Sequence, residues 1–349
     1  MSFIPLGERR IECDNWGVDL RRGKKAVCLA SLCFILLSCS SSKTLSDETY
    51  ACCARILCQA ETKEESELKE ILSCFDEVGE ISDSYYPHNG VIGVYDVNNA
   101  ISPITISEDL YDLLSFSLQM EEITEGYFSP LCFGLSSLWK NSLDSDAPSL
   151  PDDSSIEKEV AKIKNTTLVL ENEKGIYTAY LRQKDPSIGR ALIDLGGIAK
   201  GYAARKAKKK AESLGWTNYY INAGSSTLVL GEANKNDGYY SLSWDKDLEG
   251  KQMKAKNTCV STSSTSVQGV KISGKIYSHI VNPFSGEASP NITGVTLLGE
   301  DPALLDAFST AFMWMGEEKR NSLIEEYRIQ AIFYKDGAVL YDNAGLLGV

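Results

Sequence analysis

The segment Ala191-Leu-Ile-Asp-Leu-Gly-Gly-Ile-Ala-Lys-Gly-Tyr-Ala203 carries the densest structural signal in the chain. An apolar run ends at Asp194, paired glycines follow at Gly196 and Gly197, and a helical stretch begins near Lys200. Paired glycines let a backbone approach a ligand closely, and a helix N-terminus offers N–H groups to an anion. The glycine spacing differs from a Walker loop and from the dinucleotide fingerprint. The segment predicts a strand-to-helix turn, which either binds an anionic ligand or uses its glycines only for packing.

The composition around this segment is that of an ordinary globular protein. The chain has 349 residues, of which 43 % are hydrophobic and 24 % charged, and its formal net charge is −13. Such an acidic balance argues against a wide surface for nucleic acid. The two histidines, His88 and His279, are too few for a His-rich metal cluster, and 10 cysteines are too few for a scaffold built on disulfides.

Residues 1–38 have the pattern of a lipoprotein signal peptide. A basic stretch precedes an apolar run over residues 26–37, which is too short to span a bilayer and fits a secretory leader. The run leads to Cys39, followed by three serines, as in a bacterial lipobox; the alternative is an ordinary signal peptide with an incidental cysteine. Lipidation of Cys39 would anchor the protein to a membrane, with residues 39–49 as a polar tether. Because residues 1–17 do not fit a leader, we expect translation to start near Val18.

The remaining pattern predicts an α+β protein with mostly antiparallel sheets flanked by helices. Helical periodicity extends over residues 50–78 and would place Cys52, Cys53 and Cys58 on one helix. Ser107 is typical of an N-cap for a helix over 108–124, and Asp301-Pro302 of the start of another that reaches residue 315. A loop is predicted over 141–155, and strands over 167–170, 176–181, 219–221, 226–230, 239–244, 275–281 and 293–298.

Three further segments carry residues suited to chemistry. Val260-Ser-Thr-Ser-Ser-Thr265 could bind phosphate or ribose, or could simply line a strand. Tyr277-Ser-His-Ile-Val-Asn-Pro-Phe-Ser-Gly286 predicts a strand that carries His279 and turns at Asn282. In the third, Asp306 and Thr310 are four apart and share a helix face with apolar neighbours. A hard cation such as Mg²⁺ would satisfy both oxygens, as would a hydrogen bond between them.

Taken together and in this order, these segments resemble the ApbE-like flavin transferase family of bacterial lipoproteins, the FAD:protein FMN transferases. The resemblance extends over roughly residues 50–345. It implies the fold of that family for a domain over 50–349, with lobes at about 50–140 and 156–349. The matching motifs are Asp194 to Ala203, Asn222-Ala-Gly224, Val260-Ser-Thr-Ser263, His279 to Gly286, Asp306-Ala-Phe-Ser-Thr310 and, upstream, Thr124-Glu-Gly-Tyr-Phe-Ser-Pro130 with Leu138-Trp139.

The resemblance implies a Mg²⁺-dependent enzyme that cleaves FAD, passes FMN to a Thr or Ser hydroxyl of a target protein and releases AMP. Some members instead hydrolyse FAD to FMN and AMP. His279 would be a proton shuttle that titrates near neutrality. The implied metal ligands are Ala199 through its carbonyl, Asp306 and Thr310; the implied FAD contacts are Asp194, Gly196, Gly197, Lys200, Tyr202, Thr262, Ser263 and His279; and the implied catalytic residues are His279, Asp306 and Lys200.

Several positions depart from the family pattern and leave alternatives open. Ser129 and Asn282 stand where the family usually has Asp, Ser264 stands where Gly is usual, and Ser225 and Ser226 replace a Gly and an Asp or Asn. An FAD pyrophosphatase and a non-catalytic FAD-binding lipoprotein are therefore the alternative hypotheses.

The expected partners are FAD, a flavinylated target such as a membrane redox subunit, and the membrane through the lipid anchor, without nucleic acid. The expected location is the bacterial cell envelope, at the periplasmic or outer side of the inner membrane.

Overall fold

A computed structural model describes residues 43–62, 64–234, 236–244, 247–266 and 269–347. The helices in these ranges are α1 (Glu65–Ser82), α2 (Val94–Asn99), α3 (Glu108–Ile123), α4 (Phe133–Leu143), α5 (Asp153–Asn165), α6 (Ala199–Ser213), α7 (Pro302–Phe312) and α8 (Glu317–Glu326). The strands are β1 (Thr44–Ala51), β2 (Ala54–Glu61), β3 (Ile104–Ile106), β4 (Thr166–Glu173), β5 (Ile176–Gln183), β6 (Tyr219–Ala223), β7 (Thr227–Leu230), β8 (Tyr240–Ser243), β9 (Gln252–Ala255), β10 (Thr258–Ser264), β11 (Val270–Ile272), β12 (Lys275–Tyr277), β13 (Gly294–Gly299), β14 (Gln330–Lys335) and β15 (Ala338–Asp342).

A large antiparallel sheet organises the molecule. Its strand order is β1-β2-β6-β7-β10-β13-β14-β15, and every neighbouring pair is antiparallel. Because successive side chains of a strand point to opposite faces, the sheet separates two cores. One lies under α1, α6 and α7, whereas the other lies under the β8–β9 hairpin. The structure confirms the predicted α+β class with helices flanking mostly antiparallel sheets.

Smaller sheets complete the fold around the helices. The order β3-β5-β4 forms a three-stranded antiparallel sheet, and β11 pairs with β12 in a separate hairpin. Buried Asn98 at the end of α2 holds the segment before α6, because its amide donates to the Ile193 carbonyl at 2.9 Å and its oxygen accepts from the Ile193 N–H at 2.7 Å. In the part of the chain that the structure describes, each helix is too short or too polar to cross a membrane.

The N-terminal part of the described chain differs from the prediction. Residues 44–49, expected in the tether, belong to β1, and residues 54–61, expected in a helix, form β2. The turn between these strands consists of Cys52 and Cys53, both with positive φ, and Cys58 lies buried in β2. Buried positions alternate along β2, as the period of a strand requires. The predicted signal peptide at 1–38 and Cys39 lie outside the described residues.

Most of the other predicted elements are confirmed. The Ser107 side chain accepts from the Leu110 N–H and begins α3 as expected, and Asp301 caps α7. Only the first three residues of the strand predicted over 275–281 are extended, so His279 does not lie on a strand. The loop predicted over 141–155 is shorter, because α4 ends at Leu143 and α5 begins at Asp153. Since β2 pairs with β6, the main sheet takes strands from both predicted lobes.

Candidate active site

The turn before α6 brings its charged side chains and its glycines together. The Asp194 carboxylate accepts from the Gly196 N–H at 2.8 Å, and the Lys200 ammonium lies 3.4 Å from the Gly196 carbonyl oxygen. Gly196 is exposed and Lys200 is half-buried. Four of the predicted contact residues therefore do form one surface at the helix start: Asp194, Gly196, Gly197 and Lys200.

Helix α7 lies directly against this turn. The Gly201 N–H donates to Asp306 Oδ2 at 2.9 Å, so the buried carboxylate touches the first turn of α6. Gly201 has no room for a side chain, because a Cβ there would come within 2.4 Å of the Pro302 carbonyl oxygen. A Cβ at Gly197 would lie 3.3 Å from Thr310 Oγ1. Asp306 and Thr310 thus share a face of α7, as the helical spacing predicted, and this face lies against the segment that contains Gly197 and Gly201.

Buried hydroxyl groups surround the Asp306 side chain from the sheet. Thr227 of β7 and Ser261 of β10 lie 3.3 Å and 3.4 Å from Asp306 Oδ1. Ser309 donates to the Asp306 carbonyl at 3.0 Å and lies 2.8 Å from the Ser263 hydroxyl. Thr227, Ser261 and Ser309 are fully buried, so the carboxylate is desolvated but accepts hydrogen bonds on both oxygens, as a buried charge requires.

His279 lies in a bend on the exposed side of the site and is influenced by two cations. The residue is solvent-exposed. Desolvation of the ring, together with the positive charges of Lys200 and Lys140, lowers the pKa of His279 below its usual range. The role of this imidazole as a proton shuttle that titrates near neutrality stays a prediction, and the direction of the shift places its pKa lower than that role assumes. At neutral pH the ring is uncharged and can accept a proton.

Two of the predicted FAD contacts, Thr262 and Tyr202, lie away from the surface at the start of α6. On β10 the odd-numbered residues face α7, whereas Thr262 points to the opposite face, where its hydroxyl lies 3.1 Å from that of Thr296. Thr262 and Ser263, expected together, are therefore on different sides of the sheet. Tyr202 packs against Phe116 of α3, with ring centroids 6.0 Å apart. It is separated from Lys200 because residues two apart on a helix point in nearly opposite directions.

Some of the positions that depart from the family pattern have clear local partners. Ser129 donates to Glu121 Oε1 at 2.5 Å, so a carboxylate from α3 reaches the position where Asp is usual. Burial raises the pKa of Glu121, and this hydrogen bond opposes the rise. Ser264 donates to Asp247 at 2.6 Å on the far face of the sheet. The Asn282 side chain accepts from the Phe284 N–H at 2.8 Å and so still supports the turn.

The oxygen atoms around Asp306 are of the kind that binds a hard cation. The carboxylate of Asp306, the hydroxyl of Thr310 and the carbonyl of Ala199, at the start of α6, are hard oxygen ligands that suit Mg²⁺ rather than a soft metal. No group of three or more His, Cys, Asp or Glu side chains within the described ranges is placed to hold a metal ion. The predicted set contains only one such side chain, so a Mg²⁺ site there stays a prediction.

Sequence reasoning missed several residues of this site. Ser261 and Ser309 lie inside the quoted motifs, and a period of two along β10 would have assigned Ser261 and Ser263 to one face. Lys140 follows Trp139 in another quoted motif, but only the fold brings its charge near His279. Thr227 has no sequence signal, because it looks like any residue at the start of a strand.

Comparisons with known proteins identify the family to which the chain is similar. The model of the ApbE family matches residues 54–333. The chain is 22 % identical to the FAD:protein FMN transferase of Escherichia coli K12 over 76 % of this chain and 75 % of that protein. It is 25 % identical to the transferase of Chlamydia pneumoniae over 89 % of this chain and 97 % of that protein.

Solved structures also share the fold. The ApbE protein of Thermotoga maritima superimposes with a TM-score of 0.69 at 21 % identity and covers 86 % of this chain and 97 % of its own. The apo flavinyl transferase ApbE of Pseudomonas stutzeri gives a TM-score of 0.69 at 19 % identity, with coverage of 90 % and 99 %. At these identities the superpositions establish the architecture.

Proposed function

Because the chain belongs to the ApbE family, whose curated relatives are FAD:protein FMN transferases, we propose that this enzyme transfers FMN from FAD to a Ser or Thr hydroxyl of another protein. The observation that carries the proposal is the contact between α6 and α7. The Gly201 N–H binds the Asp306 carboxylate there, beside the paired glycines and Lys200. A phosphoryl-transfer site needs such a convergence of oxygen ligands, a cation and a close-approaching backbone.

The proposal includes Mg²⁺ as a cofactor, held by the Asp306 carboxylate, the Thr310 hydroxyl and the Ala199 carbonyl. Bound there, Mg²⁺ would neutralise negative charge on the two phosphates of FAD. Lys200 would bind a phosphate oxygen as a point charge. The exposed backbone at Gly196 allows the pyrophosphate to approach the start of α6, where the positive end of the helix dipole favours an anion.

In the proposed reaction the acceptor oxygen forms a bond to the phosphorus atom of the FMN half. The bond from that phosphorus to the bridging oxygen breaks, and AMP leaves. The proton of the acceptor hydroxyl passes to the imidazole of His279, which is uncharged at neutral pH. A water molecule in place of the hydroxyl would give free FMN and AMP by the same steps.

The cell-envelope location remains part of the proposal. The leader over 1–38 and the lipid anchor at Cys39 would hold the enzyme at a membrane surface, where a membrane redox subunit could serve as the acceptor. The sequence motif supports this part, and globomycin-sensitive labelling of Cys39 with a radioactive fatty acid would test it. Unlabelled protein of unchanged mass would contradict the anchor.

Incubation of the purified protein with FAD and Mg²⁺ tests the transferase proposal, with and without a Thr-containing acceptor peptide. We expect the peptide to gain the mass of FMN with one equivalent of AMP. AMP and free FMN alone would support the pyrophosphatase instead, and bound, uncleaved FAD would contradict both enzymatic functions. Asp306→Asn should lower FAD cleavage at least about 100-fold, since an active-site metal contributes several kcal/mol. Asp247→Asn is the matched control, because that carboxylate lies on the far face of the sheet.

A further inference from the structure

The hydrogen bonds of Asp306 account for most of its acceptor capacity. An ionised carboxylate has about four lone-pair sites. Thr227 and Ser261 occupy the two sites of Oδ1, and the Gly201 N–H occupies one site of Oδ2. One lone pair therefore remains, on Oδ2, which lies beside the first turn of α6. This count restricts how the side chain can bind a cation.

The hydroxyl protons can be assigned from their partners. Ser309 donates to the Asp306 carbonyl at 3.0 Å and so accepts from Ser263 at 2.8 Å. The single proton of Ser261 can go to Asp306 Oδ1 at 3.4 Å or to Ser309 at 3.3 Å. Because an ionised acceptor forms the stronger hydrogen bond, the carboxylate receives the proton. Ser261 and Thr227 then hold Oδ1 from two neighbouring strands.

Burial makes this arrangement rigid. Thr227 and Ser261 have no exposed surface, and Asp306 is 5 % exposed, so water cannot replace a lost hydroxyl without opening the core. The main chain of α7 is tied to β10 through Ser309 and Ser263. The carboxylate plane is therefore fixed from the sheet side before any ligand arrives.

We propose that Thr227 and Ser261 are positioning residues that hold Asp306 so that it binds a divalent cation through Oδ2 alone. This inference rests on the proposed function, because it concerns the metal of that same site. Neither hydroxyl touches the cation; each acts by fixing the side chain that does. Outer-shell partners of this kind typically change metal affinity by about 10-fold to 100-fold when they are removed.

Titration of the full-length protein with MgCl₂ in a calorimeter tests the proposal without measuring catalysis. Thr227→Val and Ser261→Ala should each weaken Mg²⁺ binding about tenfold. Thr296→Val is the matched control: Thr296 is also buried, but its hydroxyl faces Thr262 on the other side of the sheet, so Mg²⁺ affinity should stay within about twofold. High Mg²⁺ should restore FAD cleavage in Thr227→Val.

The outcomes separate this inference from the function on which it rests. If Asp306→Asn abolishes Mg²⁺ binding while Thr227→Val and Ser261→Ala bind as the unmodified protein does, the positioning roles are refuted and the metal site stands. If the unmodified protein binds no Mg²⁺, the metal site is refuted and the positioning roles with it, whereas the transfer of FMN is tested separately by the mass of the acceptor peptide. A loss in Thr296→Val equal to that in Thr227→Val would also refute the inference, because general loosening of the sheet would then explain both.

Discussion

Replacement of Gly201 by alanine would test the contact between α6 and α7 on which the site depends. A Cβ at this position would lie 2.4 Å from the Pro302 carbonyl oxygen, 2.5 Å from Asp306 Cβ and 2.9 Å from Ala303 Cα. Two of these atoms belong to the backbone of α7, so no change of rotamer can relieve the clash. The two helices would have to move apart, and the Gly201 N–H would be pulled away from Asp306.

The expected cost follows from three effects. Alanine stabilises a helix interior by about 1 kcal/mol relative to glycine, whereas overpacking a core typically costs about 1–3 kcal/mol. A hydrogen bond to a charged group contributes about 1.5–3 kcal/mol. The free energy of unfolding should therefore fall by about 3 kcal/mol. For a chain of this size, about 2 °C per kcal/mol gives a fall in Tm of about 6 °C. FAD cleavage should decline as well, because Asp306 is displaced.

Thermal unfolding followed by circular dichroism measures this effect against Gly316→Ala. Gly316 precedes α8 with a φ of −63°, and a Cβ there would meet no atom within 4 Å. That variant should lose only about 0.5 kcal/mol. If the Tm of Gly201→Ala lay within about 2 °C of the control, the helices would not be as close as the structure indicates, and the reasoning from contact distance would fail.

Two further predictions concern the imidazole of His279 and the buried side-chain amide of Asn98. The chain has two histidines, so the ring signals are simple to follow in ¹H NMR titrations. His279 should titrate near pH 4. Because a neighbouring cation disfavours the protonated ring, Lys200→Met should raise this midpoint, and an unchanged midpoint would contradict the proximity of the two side chains. Asn98→Ala should lower the free energy of unfolding in urea by about 3 kcal/mol, since it leaves both polar groups of the Ile193 backbone unpaired in the core. Asn99→Ala is the control, because the Asn99 amide donates to the Tyr95 carbonyl of its own helix. This variant should change the free energy of unfolding by less than about 1 kcal/mol. Equal losses in the two variants would show that burial is irrelevant here.

The local signals that succeeded have short-range physical causes. Ser107 begins α3 and Asp301 begins α7 because a side-chain oxygen satisfies a free N–H within three residues. Asp306 and Thr310 share a face because a helix repeats every 3.6 residues. In both cases the information lies within one or two turns of chain and can be read without knowledge of the fold.

The failures occur where several local patterns fit the same residues. Residues 50–61 combine good helix formers with buried positions that also alternate, and pairing of β2 with β6 decided in favour of the strand. Thr262 and Ser263 have the same chemistry and adjacent numbers. The pleat of β10, and the position of α7 over one of its faces, decide which one meets the site.

The sequence by itself determined the α+β class and the α6 and α7 segments that carry the charged residues, because composition, capping and periodicity are local properties. The family followed from the resemblance of its ordered motifs. Tertiary structure alone decided the environment of those residues. Thr227 reaches Asp306 from 79 residues away in the chain, and Lys140 of α4 depresses the pKa of His279 from 139 residues away. Hydrogen bonds and charges act through distance in space, and only the folded chain sets that distance.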